Sequence, residues 1–195
     1  PVTTWVSNPA GGRDRGPRGL ARAWIEVLIR PGQFFRNGVA PGDQAPGLVF
    51  AGVVATVYAA GLFAFVPERI PSFAASRVVS AGIALALVAL FVAPAVLHLT
   101  AALQTVLLIL AVRDRGGISE TVQVIAYATA PCVFVGVPVP EVRVVCGLWG
   151  AGLYVYGLHA IHNLSVPRAV LAAALPATIL FGYGFRAVPA AELLL

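Results

Sequence analysis

Residues 78–112 read VVSAGIALALVALFVAPAVLHLTAALQTVLLILAV, thirty-five positions without an Asp, Glu, Lys or Arg. As one helix this run would extend roughly 50 Å, well past the ~30 Å hydrocarbon core of a bilayer. It is therefore either one long, tilted and kinked helix or two short ones. Pro94 is the place for a bend, because proline removes a backbone N–H and presses on the preceding turn. Dividing the run there leaves a first half of about sixteen residues, short of the ~20 a span needs. How this stretch is read sets the number of spans and the side on which each terminus lies.

The rest of the chain has the same character. Hydrophobic residues make up 59% and charged residues 11% of 195 positions, whereas a soluble domain has about a quarter charged. This is the composition of an integral membrane protein. Gly47 to Val66 is a span bounded by Pro46 and by Pro67-Glu68-Arg69. Thr121 to Val137 is a shorter candidate that stops at the VPVP run, Val142 to Leu158 is another, and Val166 to Phe185 is the last. The Arg-, Gly- and Pro-rich first 46 residues lack the apolar core and cleavage site of a signal peptide, so the N-terminus is expected to be retained.

Arginine positions arbitrate between topologies, since basic residues near span ends accumulate on the cytoplasmic side. Five spans with the N-terminus inside put nine of the thirteen Arg in the cytoplasm, with Arg69, Arg77, Arg143 and Arg186 outside. Six spans give eight against five. The expected architecture is all-α: a polytopic membrane bundle of about five helices, N-terminus cytoplasmic and C-terminus outside, in the cell membrane. Residues 1–17 read as a flexible Arg/Gly-rich arm, 18–46 as a cytoplasmic interfacial helix and linker, and 47–195 as the membrane domain.

In the linker region, Arg18, Arg22, Glu26 and Arg30 recur at four-residue spacing and line one helical face; Leu20, Trp24, Val27 and Leu28 line the other. Arg18, Arg22, Trp24 and Arg30 are thus candidate membrane-interface residues on an amphipathic helix that Pro31-Gly32 should end. The alternative is a helix that packs under the bundle, since periodicity alone does not say whether lipid or protein covers the apolar face.

The positive net charge does not require a nucleic-acid partner, because six Arg precede the first span, where orientation and anionic lipid account for them. Cys132 and Cys146 fit no metal or redox spacing and read as buried thiols. Small residues form stripes, Gly47, Ala51, Ala55 and Ala59 in the first span and Ala169, Ala173 and Ala177 in the last. Gly147, Gly150, Gly152 and Gly157 similarly thin the fourth, and such stripes are expected helix contact faces.

No Asp, Glu or Arg sits at the centre of any span, whereas intramembrane catalysis and carboxylate proton relays need such groups. No enzyme, cofactor or small-molecule ligand is therefore expected. The polar intramembrane candidates are His98, Gln104, Thr105, Tyr127, Thr129 and Pro131. With Thr100, the first three either line a cavity or make interhelical hydrogen bonds. Tyr127, Thr129 and Pro131 form a break at about mid-depth, because Pro131 cannot donate to the Tyr127 carbonyl. His159 and His162 have two-ligand zinc spacing without further ligands. Gly116-Gly117 lacks the Lys of a phosphate loop and reads as a turn, with Ser119 capping the third span.

EVLIRPGQFFRNG, the long apolar segment ending in RDRGGISE, VIAYATAPCVFVG and LWGAGLYVYGLHAIHNLSVPRA, in that order, together resemble the Yip-one domain family in its prokaryotic branch, from Glu26 to Phe185. The resemblance implies a five-helix membrane domain with a cytoplasmic N-terminus and no catalytic residues; Tyr127 and Pro131 match a recurrent Tyr…Pro pattern. Eukaryotic relatives bind Rab-type (Ypt) small GTPases and act in vesicle traffic and membrane shaping. The function expected here is a non-enzymatic scaffold that organises lipid or a protein partner, including itself. The alternative is a small transporter or channel subunit using His98, Gln104 and the Pro131 break.

The interfacial reading is checked with a peptide covering Arg18 to Arg36, which is expected to become helical on anionic vesicles. A circular dichroism spectrum that stays random-coil there sinks it.

Overall fold

Proline placement determines most helix starts in this chain. A proline at the first helical position gives up an N–H that would have had no partner anyway. Pro17, Pro31, Pro46, Pro140 and Pro167 all occupy the first or second position of a helix. The computed structural model describes residues 16–112 and 115–195, the side chain of Ala111 excepted, and nearly all of the arm expected over residues 1–17 lies outside them. Helices α1 (Pro17–Ile29) and α2 (Pro31–Gly38) precede α3 (Ala45–Phe65). Pro31 does end α1, but it opens α2 at the next residue rather than releasing the chain into a loop. A Pro41-Gly42 turn, with Gly42 at φ 77°, leads into α3.

The long apolar run is one helix. Helices α4 (Arg77–Leu87) and α5 (Ala93–Ala111) join without a break through a π turn at Val88–Val92. Ser76 caps the start by accepting the Val79 N–H. The π turn lies just ahead of Pro94 and includes Leu90, the residue whose carbonyl the proline ring would strike. A widened turn there absorbs the conflict that would otherwise kink or end the helix. The 34-residue candidate span Arg77–Leu110 measures about 50 Å at helical rise, so the helix tilts or projects beyond the hydrocarbon layer.

After α5 come α6 (Ile118–Ala128), a 3-10 turn at Ala130–Phe134, α7 (Pro140–His162), α8 (Val166–Ala177) continuing through a π turn at Thr178–Gly184, and α9 (Ala187–Glu192). Helix α7 stops at Asn163, whose left-handed backbone at φ 51° closes it as Asn commonly does. The expected Ser119 cap is not the one used. The helix begins at Ile118 with Gly117 outside it, and the Ser119 carbonyl and hydroxyl accept from Gln123 instead.

The described residues contain no strand, and four helices are long and apolar enough to cross a membrane: Ala45–Phe65, Arg77–Leu110, Pro140–His162 and Val166–Gly184. The fifth expected span is α6 with its 3-10 turn. It is short of a full span as a single helix, yet the α-helical and 3-10 parts together rise about 25 Å. Every residue from Thr121 to Cys132 is buried, so this segment is the axis of the bundle, with α3, α5 and α7 around it. Large apolar side chains such as Leu90, Leu99, Leu110, Leu148 and Leu171 are exposed on the outside, the arrangement of a chain whose solvent is lipid.

Glycines set how closely the helices approach. A Cβ at Gly47 would lie 3.3 Å from the Gln123 backbone, one at Gly150 2.5 Å from the Phe181 ring and one at Gly157 2.6 Å from Val124. Gly147 meets the Ala187 methyl of α9 in the same way, while Gly152 faces open space. The tightest backbone contact was not marked by any stripe: a Cβ on Gly136 would lie 2.6 Å from the Tyr58 carbonyl and 2.9 Å from the Gly61 Cα. In α8 the stripe does pack, with Ala169 and Ala173 fully buried. Ala51 and Ala59, expected with Ala55 as a contact face, are buried, and all three also border a cavity of about 260 Å³.

Gly136→Val is expected to destabilise the fold by about 1–3 kcal/mol through overpacking against α3, read as a lowered thermal midpoint in detergent. Gly152→Ala in the same assay is expected to be neutral or mildly stabilising.

Candidate functional site at the broken third span

A lipid-buried segment must satisfy its backbone from within the protein, because no water is available to do so. At the end of α6 the regular ladder gives way to shorter turns. The Thr129 N–H and Oγ1 both turn back to the Ala126 carbonyl, at 3.2 and 2.7 Å, and the Cys132 N–H reaches the Thr129 carbonyl at 2.8 Å. Pro131 follows, buried, where it owes no donor to the ladder. The 3-10 turn is then held from two sides. The Trp24 indole N–H donates to the Ala130 carbonyl at 2.8 Å, and the Arg143 Nε–H donates to the Val135 carbonyl at 3.1 Å.

Tyr127 is wholly buried between Phe34 of α2 and Phe50 of α3, in edge-to-face contacts with ring centroids 4.8 and 5.3 Å apart. Such pairs favour one ring orientation beyond what area burial gives. Tyr127, Thr129 and Pro131 thus come together as one bent, protein-facing segment. Its partners come from α1, α2, α3 and α7.

The amphipathic helix α1 buries Gly19, Ala23 and Val27, and Arg18, Arg22 and Arg30 are exposed. Trp24, expected at the headgroup boundary, points to the broken span, where its ring also meets Phe134 at 5.8 Å. A half-buried indole N–H needs an acceptor, and the interrupted turn supplies one. The apolar side of α1 is therefore covered by protein.

Gln123 is the residue that pattern reading passed over. Its amide is fully buried and pairs with both backbone groups of Ala40 in the linker before α3: the Ala40 N–H donates to Oε1 at 3.0 Å, and Nε2 donates to the Ala40 carbonyl at 2.7 Å. The side chain thereby supplies an acceptor for the Ala40 N–H, while the Ala40 carbonyl also accepts from the Asp43 N–H at 3.4 Å. The available signal was a lone amide inside VQVIAYATAPCVF, four residues from Ser119, whose carbonyl also accepts from it.

The remaining polar candidates are spread across the bundle. Buried Gln104 accepts from the Tyr154 hydroxyl and ties α5 to α7. Thr105 donates to the Ala101 carbonyl within its own helix. His98 is exposed; its Nδ1 bonds the Pro94 carbonyl at 2.7 Å and its Nε2 faces the Gln44 amide at 3.2 Å, which joins α5 to the start of α3. His159 turns to the Leu164 carbonyl and His162 to Thr121, so the two imidazoles do not converge. No cluster of three or more metal-ligating side chains occurs among the described residues, and Cys132 and Cys146 are free and buried. Thr129 alone of the sequence-predicted residues lines the apolar cavity; His98, Gln104 and Pro131 do not.

Replacing Gln123 by Leu is expected to cost about 2 kcal/mol, from the two lost bonds to Ala40 and the Ala40 N–H left without its acceptor. Thermal unfolding reads the loss, and amide exchange at Ala40 should quicken.

Among known families, the model of the Yip1 domain matches residues 25–186. No curated protein and no solved structure matches the chain.

Proposed function

From the premise that the chain belongs to the Yip1 domain family, we propose that this multi-pass membrane protein is a non-enzymatic scaffold that organises lipid or binds a membrane partner. The supporting observation is the use made of its intramembrane polar groups. Gln123, Gln104, Trp24, Thr105 and Thr129 each bond a neighbouring element or their own backbone. Bonds of this kind hold helices together, typically for about 1 kcal/mol each; of these side chains, Gln104 also keeps a buried donor, Nε2, with no partner among the described residues. The arginine distribution supports a cytoplasmic N-terminus and a C-terminus outside. Arg18 and Arg22 of α1 and Arg30 just after it lie on exposed positions, where anionic headgroups or an acidic partner would meet them.

The rival reading is a small transporter or channel subunit. It draws on the interruption of α6, since broken helices border many transport sites. Against it, His98 and Gln104 are engaged on different sides of α5, with Gln44 and Tyr154 respectively, and neither reaches the cavity.

Reconstitution separates the two. Proteoliposomes are expected to show solute flux indistinguishable from empty vesicles and unchanged by His98→Ala, while crosslinking in native membranes is expected to recover a partner or a second copy. Flux above background that His98→Ala abolishes would overturn the scaffold proposal.

A further inference from the structure

The cavity beside α3 is lined by apolar side chains, with Tyr58 and Thr129 the polar exceptions. Ala51, Ala55 and Ala59 form one wall, with Val88, Val92 and Leu97 opposite. Leu180, Gly184 and Phe185 close it from the α8 side. Both π turns, Val88–Val92 and Thr178–Gly184, therefore contribute lining residues. A π turn inserts a residue and displaces the backbone from regular helix packing, a distortion that recurs at functional sites. Here it accompanies a gap between helices that elsewhere close on alanine and glycine. The cavity is partly open and measures about 260 Å³. A dry cavity of ~150 Å³ takes up benzene, so this one has room for a longer piece of hydrocarbon. In a bilayer the hydrocarbon at hand is an acyl chain.

One end of the cavity is marked by Tyr58 and Phe185, whose rings pack with centroids 5.4 Å apart. Arg186 follows Phe185 in the chain, and Arg143 of α7 donates its Nε–H to the Val135 carbonyl, next to Gly136, where an added Cβ would lie 2.6 Å from the Tyr58 carbonyl; Arg69 ends the turn that follows α3, and all three arginines act electrostatically on Tyr58. Arg143 also feels Arg186 and Arg69. Arg186 has left-handed backbone at φ 64°, and its Nε is buried without a hydrogen-bond partner among the described residues. Like charges repel one another, and an anion set between these guanidiniums would relieve that. Guanidinium groups match phosphate oxygens in forked pairs.

We infer that this is a binding site for one anionic phospholipid. The phosphate is held by Arg69, Arg143 and Arg186, and one acyl chain enters past Tyr58 and runs toward Ala51, about 10 Å along α3. The site is separate from the Gln123 and Trp24 contacts, and it stands whether or not the scaffold reading does.

The test uses the purified full-length chain, stripped of lipid in detergent and titrated with phosphatidylglycerol, phosphatidylcholine of the same chains, and glycerol phosphate, with bound lipid counted by native mass spectrometry. One phosphatidylglycerol per chain is expected, about tenfold tighter than phosphatidylcholine, the worth of one charge-assisted hydrogen bond. Arg69→Gln with Arg186→Gln should remove that preference. Ala55→Leu, which fills the cavity, should weaken both lipids alike; Gly184→Leu fills it from the other wall if Ala55→Leu does not fold. Glycerol phosphate should not compete. Equal affinity for the two lipids, a preference that survives loss of both arginines, or wild-type binding in a folded cavity-filling variant overturns the proposal. Competition by glycerol phosphate also overturns it, in favour of a site for soluble phosphate. Should neither cavity variant fold, the arginine pair decides.

Discussion

A polypeptide in hydrocarbon must find every backbone hydrogen bond within itself, and in this protein that requirement is most demanding between Ala128 and Phe134. There the α-helical ladder ends, a proline intervenes and the chain continues in tighter turns. An irregular backbone of this kind is tolerated at membrane depth only when protein covers it. The surrounding helices meet that need: α3, α5 and α7 flank the segment, and α1 lies over the turn and donates from Trp24. The least regular span is consequently the most buried one.

Covering it fixes the rest of the packing. Glycine at 47, 136, 150 and 157 lets neighbouring backbones and rings come within distances that a Cβ would forbid. Such approach substitutes for the hydrophobic effect, which gives helices no reason to associate in lipid. The polar groups do the complementary work. Gln123 holds the linker at Ala40, and Gln104 joins α5 to α7 through Tyr154. Each long-range bond connects segments that sequence separation leaves free to drift.

Much of the architecture was legible from residue pattern alone because membrane spans are set by length and hydropathy. The boundaries of the first, fourth and last spans, the amphipathic face of α1 and the mid-depth break at Pro131 follow from composition, periodicity and the missing proline N–H. Less was legible where one residue serves two different surroundings. Trp24 suits a headgroup boundary by its chemistry, and only the packed turn beside it reveals the carbonyl it bonds. Ala51, Ala55 and Ala59 have the spacing of a helix contact, yet the π turns opposite leave them lining a cavity.

By itself the sequence determined that this is an all-helical membrane protein with a broken third span, since apolar run length, charge placement and proline are local properties. Tertiary structure alone decided that residues 77–111 form one continuous helix, because a π turn can absorb a proline that would otherwise break it. It alone decided, too, that Gln123 answers Ala40 across eighty-three residues and that Tyr58 and Phe185, far apart in the chain, pack together beside a cavity. Those are properties of juxtaposition. Hydrogen bonds and charges act over a few ångströms of space, whatever the separation along the chain.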